Sequence, residues 1–260
     1  MKYLPKSFII TLLTICLISC STSSSLKKQH NGLKKINNNE YVILIHGIRG
    51  NDWFMSSIEK YLKLLGYKTV NIDYPSTKYS LNELIDLVYK KINKEIDLST
   101  MKSDSKIHFV GHSMGGLITR GIISKYPIKN LGRVVQLGTP NHGSKIAGNF
   151  EKLKLFGLIY GPAGYQLTTK DDNRKGLFKP INYELGSLAG NKNINPLGLM
   201  LDGDNDGTVS VESTKVEGMK DHHIIKASHI FFPFYTEAKY QTAYFLQTGH
   251  FHKNNLNILN

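Results

Sequence analysis

The sequence predicts an α/β fold with a mostly parallel sheet and helices on both faces. Three observations carry that expectation. Strand-like and helix-like segments alternate along the chain. The strand-like segments include continuous apolar runs, as strands buried on both faces require. Helix start and stop signals punctuate the segments between them.

The elements follow in order. Tyr41–His46 (YVILIH) reads as a buried strand. Asn51 and Asp52 offer caps for a helix from Trp53 to Leu65, which Gly66 ends. Tyr67–Asp73 is the next strand, and Ser80 with Glu83 forms a capping box before a helix to about Ile96. Lys106–Gly111 is a strand, Met114–Lys125 a helix and Leu131–Leu137 a strand. Residues 145–180 read as irregular. Tyr183–Ala189 and His222–Ala227 are later strands, and Thr236–Gln247 is a closing helix. In a sheet of this kind the site lies at the carboxyl ends of the strands.

A chain of 260 residues suits one α/β domain, and 40% hydrophobic with 20% charged residues is ordinary for a globular protein. The net charge of +13 is high, but the lysines spread along the whole chain. Nucleic-acid binders concentrate such charge in a run or on one helix, and no recognition motif is present. The charge reads as a solvated basic surface, with docking to an anionic membrane or substrate surface as the alternative, since a positive field attracts such partners. Both cysteines, Cys16 and Cys20, lie in the first twenty residues. The body of the chain therefore has no disulfide framework and no Cys-based metal site.

Residues 1–19 read as a secretory signal, with Lys2 and Lys6 before an apolar run from Phe8 to Ile18. The run ends in Leu17-Ile18-Ser19-Cys20, which resembles the bacterial lipobox. That resemblance implies a lipid on Cys20 and an anchor in a membrane outside the cytoplasm. With Ser21 following, it implies the outer membrane or periplasmic face of a Gram-negative cell. Residues 20–39 are polar and of low complexity, and are expected to be a flexible tether. Residues 40–260 form the expected catalytic domain.

The strongest signal is Gly111-His112-Ser113-Met114-Gly115-Gly116, placed between a predicted buried strand and a predicted helix. This is the context of a nucleophile elbow. A turn this tight needs residues without bulk two before and two after the serine. It lifts the Ser113 hydroxyl to a helix N-terminus, where N–H groups and the helix dipole favour negative charge. His46-Gly47, at the end of the first strand, would shape an oxyanion loop. The expected donors are the N–H groups of Met114 and Ile48.

VILIHGIRG, IHFVGHSMGG, LGTPNHGS, DGDNDGTV and KASH stand in an order that resembles bacterial lipases and esterases of the α/β-hydrolase superfamily. The set looks like the branch containing GPI inositol-deacylase-like hydrolases and triacylglycerol lipases, over roughly residues 41–249. The resemblance implies the α/β-hydrolase fold, ester hydrolysis and a Ser…Asp…His order. It places the acid just before a Gly-x-Val stretch, at Asp206, with Asp204 and Asp202 as alternatives. It places the base at His229, after an apolar strand and before the final helix. His108, His142, His222, His223, His250 and His252 fit that position less well.

Asp202 to Gly207 also matches the first six positions of a calcium loop, but its twelfth position is Ser213 where a Glu is required. No cofactor is expected, although a structural calcium elsewhere stays open. Residues 145–180 supply Phe150, Phe156 and Tyr160 with Gly157, Gly161 and Gly164, the makings of a lid or of a packed helix. The expected partner is an ester or lipid substrate, with no nucleic acid, and a monomer is the expected state. Acyl transfer or thioester cleavage by the same three residues is the alternative, and a non-catalytic surface-binding domain is a further one.

Overall fold

The computed structural model describes residues 32–36, 39–96, 105–144, 161–168 and 176–253. The signal segment, Cys20, nearly all of the tether and most of 145–180 lie outside the described residues. The chain divides into the units Met1–Lys34 and Lys35–Asn260, and the fold described here belongs to the second.

Six strands make one sheet: β1 (Tyr41–Ile45), β2 (Lys68–Ile72), β3 (Ile107–His112), β4 (Leu131–Leu137), β5 (Leu185–Gly190) and β6 (Asp221–Ile225). Their order is β2-β1-β3-β4-β5-β6, and every neighbouring pair is parallel. The helices are α1 (Asp52–Leu64), α2 (Leu81–Glu95), α3 (Met114–Lys125), the single turn α4 (Val211–Thr214) and α5 (Thr236–Thr248). The fold expected from the sequence is the one observed.

The apolar runs are apolar because both faces of the sheet are covered. β3 and β5 are buried along their whole length. Successive side chains of β1 point to opposite faces. Ile43 and Ile45 join a core with Leu84 and Val88 of α2 and Leu117, Ile118 and Ile122 of α3. Val42 and Leu44, also fully buried, serve the other face, where α1 and α5 bury Met55, Ile58, Leu62 and Phe245. The edge strands β2 and β6 are less buried and carry Lys68, Asp221, His222 and His223. Such side chains discourage pairing with another chain.

Local signals and structure differ in a few places. The capping box at Ser80 forms: Ser80 Oγ accepts from Glu83 N–H, and the Glu83 carboxylate accepts from Ser80 N–H at 2.9 Å. Asn51 makes no side-chain cap, and α1 starts at Asp52, whose carboxylate faces the positive end of the helix dipole. Gly66, at φ +94°, ends that helix as expected. β5 begins at Leu185 and β6 ends at Ile225, each two residues inside the expected limits. Residues 161–166, inside the stretch expected to be irregular, are helical.

The strand order positions the site. After β1 the chain adds β2 on one side, then crosses back to place β3 on the other. The side on which strands are added thus reverses between β1 and β3, the place where parallel sheets of this kind carry their sites, beyond the carboxyl ends. The segments leaving those two ends are His46–Gly50 and Ser113.

Ile43 lies at the centre of the larger core. Ile43→Ala is expected to cost about 2–5 kcal/mol, read as a lower urea midpoint with an unchanged denaturant slope.

Candidate active site

β3 ends at His112 and α3 begins at Met114, so Ser113 alone makes the turn. Its backbone sits at φ 53° and ψ −123°. For a residue with a side chain this costs on the order of 1–3 kcal/mol, which the surrounding contacts must sustain. Ser113 N–H donates to the Leu137 carbonyl at 2.9 Å, tying the turn to the end of β4. A Cβ on Gly111 would stand 2.5 Å from the Gly116 nitrogen, and one on Gly115 would overlap the Ile45 carbonyl. Only glycines let strand and helix pass this closely.

His229 and Asp206 reach Ser113 from the far strands. His229 Nδ1–H donates to Asp206 Oδ2 at 2.7 Å. That leaves the Nε2 lone pair to accept from the Ser113 hydroxyl at 3.0 Å. Asp206 is 1% exposed, and among the described residues no lysine or arginine pairs with its carboxylate. Instead the turn Asp206-Gly207-Thr208-Val209 folds back, so that Thr208 N–H (3.0 Å) and Val209 N–H (2.8 Å) donate to Oδ1. The Gly-x-Val stretch after the acid thus supplies the donors that make the burial tolerable. His229 N–H also donates to the Asp206 carbonyl at 2.9 Å, joining the two loops by their backbones.

Gly138, the first residue beyond β4, adopts φ +56° and passes directly beneath this pair. A Cβ there would lie 3.0 Å from Asp206 Oδ2 and 3.3 Å from His229 Nδ1.

The loop after β1 approaches from the other side. A Cβ on Gly47 would be 2.9 Å from Ser113 Cβ, so this glycine too permits a close approach. The imidazole of His46 is fully buried and stacks on Tyr74 with ring centroids 4.1 Å apart. Its Nδ1–H donates to the Gly47 carbonyl at 2.8 Å, and its Nε2 accepts from Tyr74 N–H at 3.3 Å. Tyr74 Oη–H donates to the His46 carbonyl at 2.6 Å, and Arg49 N–H donates to Ser76 Oγ at 2.9 Å. The loop is therefore pinned on both sides of Ile48. The N–H groups of Ile48 and Met114 have no acceptor among the described residues and stay available to a ligand.

Burial holds two histidines near the site neutral. His46 is pushed below its ordinary pKa by desolvation, against weaker opposing effects of Gly47, Asp73 and Asp52. His112 is pushed down to about 3, first by burial and then by the neighbouring His229. Its Nε2–H donates to the His229 carbonyl at 2.9 Å. The histidine just before Ser113 thus grips the backbone that carries His229.

The structure brings Ser113, His229 and Asp206 into one hydrogen-bonded chain. Asp202 and Asp204 are exposed. The remaining histidines are engaged elsewhere or remote from this chain. His108 accepts from Arg133 N–H and pairs with Glu40, His222 pairs with Thr214, and His252 packs on Tyr240 and Tyr244. His142 and His250 are exposed. His112, Tyr74, Ser76 and Gly138 carry positioning roles that the sequence did not single out. Their common signal is location, since each lies at or just beyond the carboxyl end of a strand.

Residues 35–159 match the family model described as "Putative serine esterase (DUF676)". Methylesterase 8 of Arabidopsis thaliana is 29% identical over 126 residues, 47% of this chain. The match spans 41% of the plant protein's own length. Among solved structures, the mature form of a Bacillus licheniformis lipase superposes with a TM-score of 0.63 at 19% identity, covering 82% of this chain and 93% of that one. A metagenomic carboxyl esterase gives 0.61 at 14% identity, covering 82% and 76%. A monoacylglycerol lipase of Paleococcus ferrophilus gives 0.53 at 17% identity, covering 80% and 94%. The fold is that of the α/β-hydrolase lipases and esterases.

Two predictions follow from this geometry. Gly138→Ala strains the backbone and presses on the Asp206–His229 pair. It is expected to slow fluorophosphonate labelling of Ser113 by about 10²-fold while the circular dichroism spectrum is unchanged. The second concerns pH. His112 titrates near 6.5 when unfolded and near 3 when folded. Between those values the unfolded chain binds the extra proton, so stability is complete above about 6.5 and falls as pH is lowered. His112→Gln is expected to flatten the fall in urea midpoint between pH 7 and pH 4.

Proposed function

We propose that this chain is a serine hydrolase of carboxylic esters, with lipid esters as its principal substrates. The carrying observation is the buried chain Asp206–His229–Ser113, with bonds of 2.7 and 3.0 Å, ending on a serine held in a strained turn. Similarity to a serine esterase family model and to lipase structures supports the same reading.

The chemistry follows from the protonation states. His229 holds its proton on Nδ1, toward Asp206, and offers Nε2 to the hydroxyl. As Ser113 Oγ attacks the ester carbonyl, its proton moves to Nε2, and Asp206 stabilises the imidazolium that forms. Charge on the carbonyl oxygen is received by the N–H groups of Met114 and Ile48. The imidazolium then gives its proton to the departing alcohol, leaving an acyl group on Ser113. Water enters, loses a proton to His229 and releases the acid. Because Met114 N–H is at the helix N-terminus, the α3 dipole adds to the oxyanion's stabilisation.

The test is hydrolysis of p-nitrophenyl esters, from acetate to palmitate, by residues 21–260. Wild-type turnover is expected, with Ser113→Ala and Asp206→Asn each lowering kcat by about 10⁴-fold or more. Turnover that survives in Ser113→Ala would refute the assignment of the nucleophile. Absence of wild-type turnover on every ester, with no fluorophosphonate labelling, would refute the reaction.

A further inference from the structure

A buried run of amides crosses from the helix behind Ser113 to the segment that follows Asp206. Its centre is Asn141, on the segment after β4. Asn141 Nδ2–H donates to Gln136 Oε1 at 2.7 Å and to the Thr214 carbonyl at 2.9 Å. Its Oδ1 accepts from Nη1–H of Arg120, on α3, at 2.9 Å. Gln136, fully buried on β4, extends the run, since its Nε2–H donates to the Gly116 carbonyl at 3.1 Å. Gly116 N–H in turn donates to the Ser113 carbonyl at 3.0 Å. Neither amide is free to turn over. A guanidinium only donates and a backbone carbonyl only accepts, so Arg120, Thr214 and Gly116 fix which end of each amide faces which partner.

The residues after Asn141 hold the same segment directly. His142 N–H donates to the Ser213 carbonyl at 3.2 Å, and Ser213 Oγ–H donates to the Gly143 carbonyl at 2.5 Å. Ser144 Oγ–H donates to the Thr208 carbonyl at 2.9 Å. That carbonyl shares a peptide unit with the Val209 N–H that holds Asp206 Oδ1. Residues 141–144 are thus bonded to α3 on one side and to the chain from Thr208 to Thr214 on the other. Asp206 and His229 are already joined to each other by side chain and backbone. Those bonds fix the pair, but not its place relative to Ser113. His112 supplies one tie across that gap, from β3 to the His229 carbonyl. The Asn141 run supplies a second, from α3 to the acid's own segment.

We propose that Asn141 is a positioning residue for ester hydrolysis. It sets where the Asp206 turn stands relative to the helix that starts after Ser113, and with it the 3.0 Å approach of His229 Nε2 to the hydroxyl. It acts through Asp206 and His229, and the inference rests on the ester-hydrolase reading of those residues. The chemistry of the position calls for an amide. An apolar side chain would leave Gln136 Oε1 and an Arg120 N–H without this partner in a buried place. A carboxylate would keep the Arg120 bond but set oxygen against the oxygens of Gln136 and Thr214.

The sheet, the helices and the site all belong to the compact unit Lys35–Asn260, so residues 21–260 serve for the test. Asn141→Asp keeps the shape of the side chain and the acceptor for Arg120 while removing both donors. On p-nitrophenyl acetate it is expected to lower kcat and kcat/KM together by about 10- to 100-fold, the loss that a misplacement of about 1 Å brings, with KM within about twofold of wild type. Fluorophosphonate labelling of Ser113 is expected to slow by the same factor. Ile43→Ala, destabilised in the core away from this run, is expected to keep the wild-type kcat, so lowered stability alone does not reproduce the effect. Ser144→Ala removes one bond of the same segment and covers the case in which Asn141→Asp does not fold. It is expected to lower kcat by about threefold or more with KM unchanged. Wild-type kcat in the folded variants, whatever their urea midpoints, or a loss carried by KM alone, would overturn the proposal and leave the hydrolase reading intact. A wild-type protein that turns over no ester and takes no label would overturn that reading, and the proposal with it.

Discussion

Everything at this site depends on how closely the end of β3 and the start of α3 approach their neighbours. Gly111, Gly115 and Gly116 lie against backbone or against Thr139, with no room for a Cβ. That contact drives the chain through a one-residue turn and fixes Ser113 at a positive φ. Once the turn is fixed, the other parts have defined targets. The loop after β1 closes on one side, where Gly47 lies against Ser113 Cβ. The segment after β4 passes on the other, where Gly138 leaves room for Asp206 and His229. Bulk at any of these glycines would move two elements, not one.

The buried charge at the site is the Asp206 carboxylate. A buried carboxylate is costly unless it is hydrogen-bonded. Asp206 meets that requirement with two backbone N–H groups from its own turn and with His229. Two further imidazoles lie close by, and burial keeps both of them neutral. The physical benefit is direct. A charged His112, with its ring centroid 5.0 Å from that of His229, would oppose any positive charge placed on His229. As a neutral donor to the His229 backbone it positions the ring without that penalty.

The same topology gives the molecule two unlike ends. Strand and helix packing occupies the sheet faces, so only the segments beyond the strands are free of packing duties. Those beyond the carboxyl ends hold the polar machinery and also most of the exposed apolar side chains.

The sequence by itself determined the parallel sheet, the turn at Ser113 and the capping box at Ser80. Each depends on residues close together in the chain: alternating apolar runs, glycines two before and two after a serine, a Ser and a Glu three apart. Resemblance, not spacing, singled out Asp206 and His229. Asp202, Asp204 and Asp206 look alike in sequence, and only burial against Gly138 and His229 separates them. The grip of His112 on His229 spans 117 residues, and that of Tyr74 on His46 spans 28. Neither leaves a local pattern. Such partners are set by strand order and by which loops converge at one end of the sheet, because hydrogen bonds and burial act through space, whatever the separation along the chain.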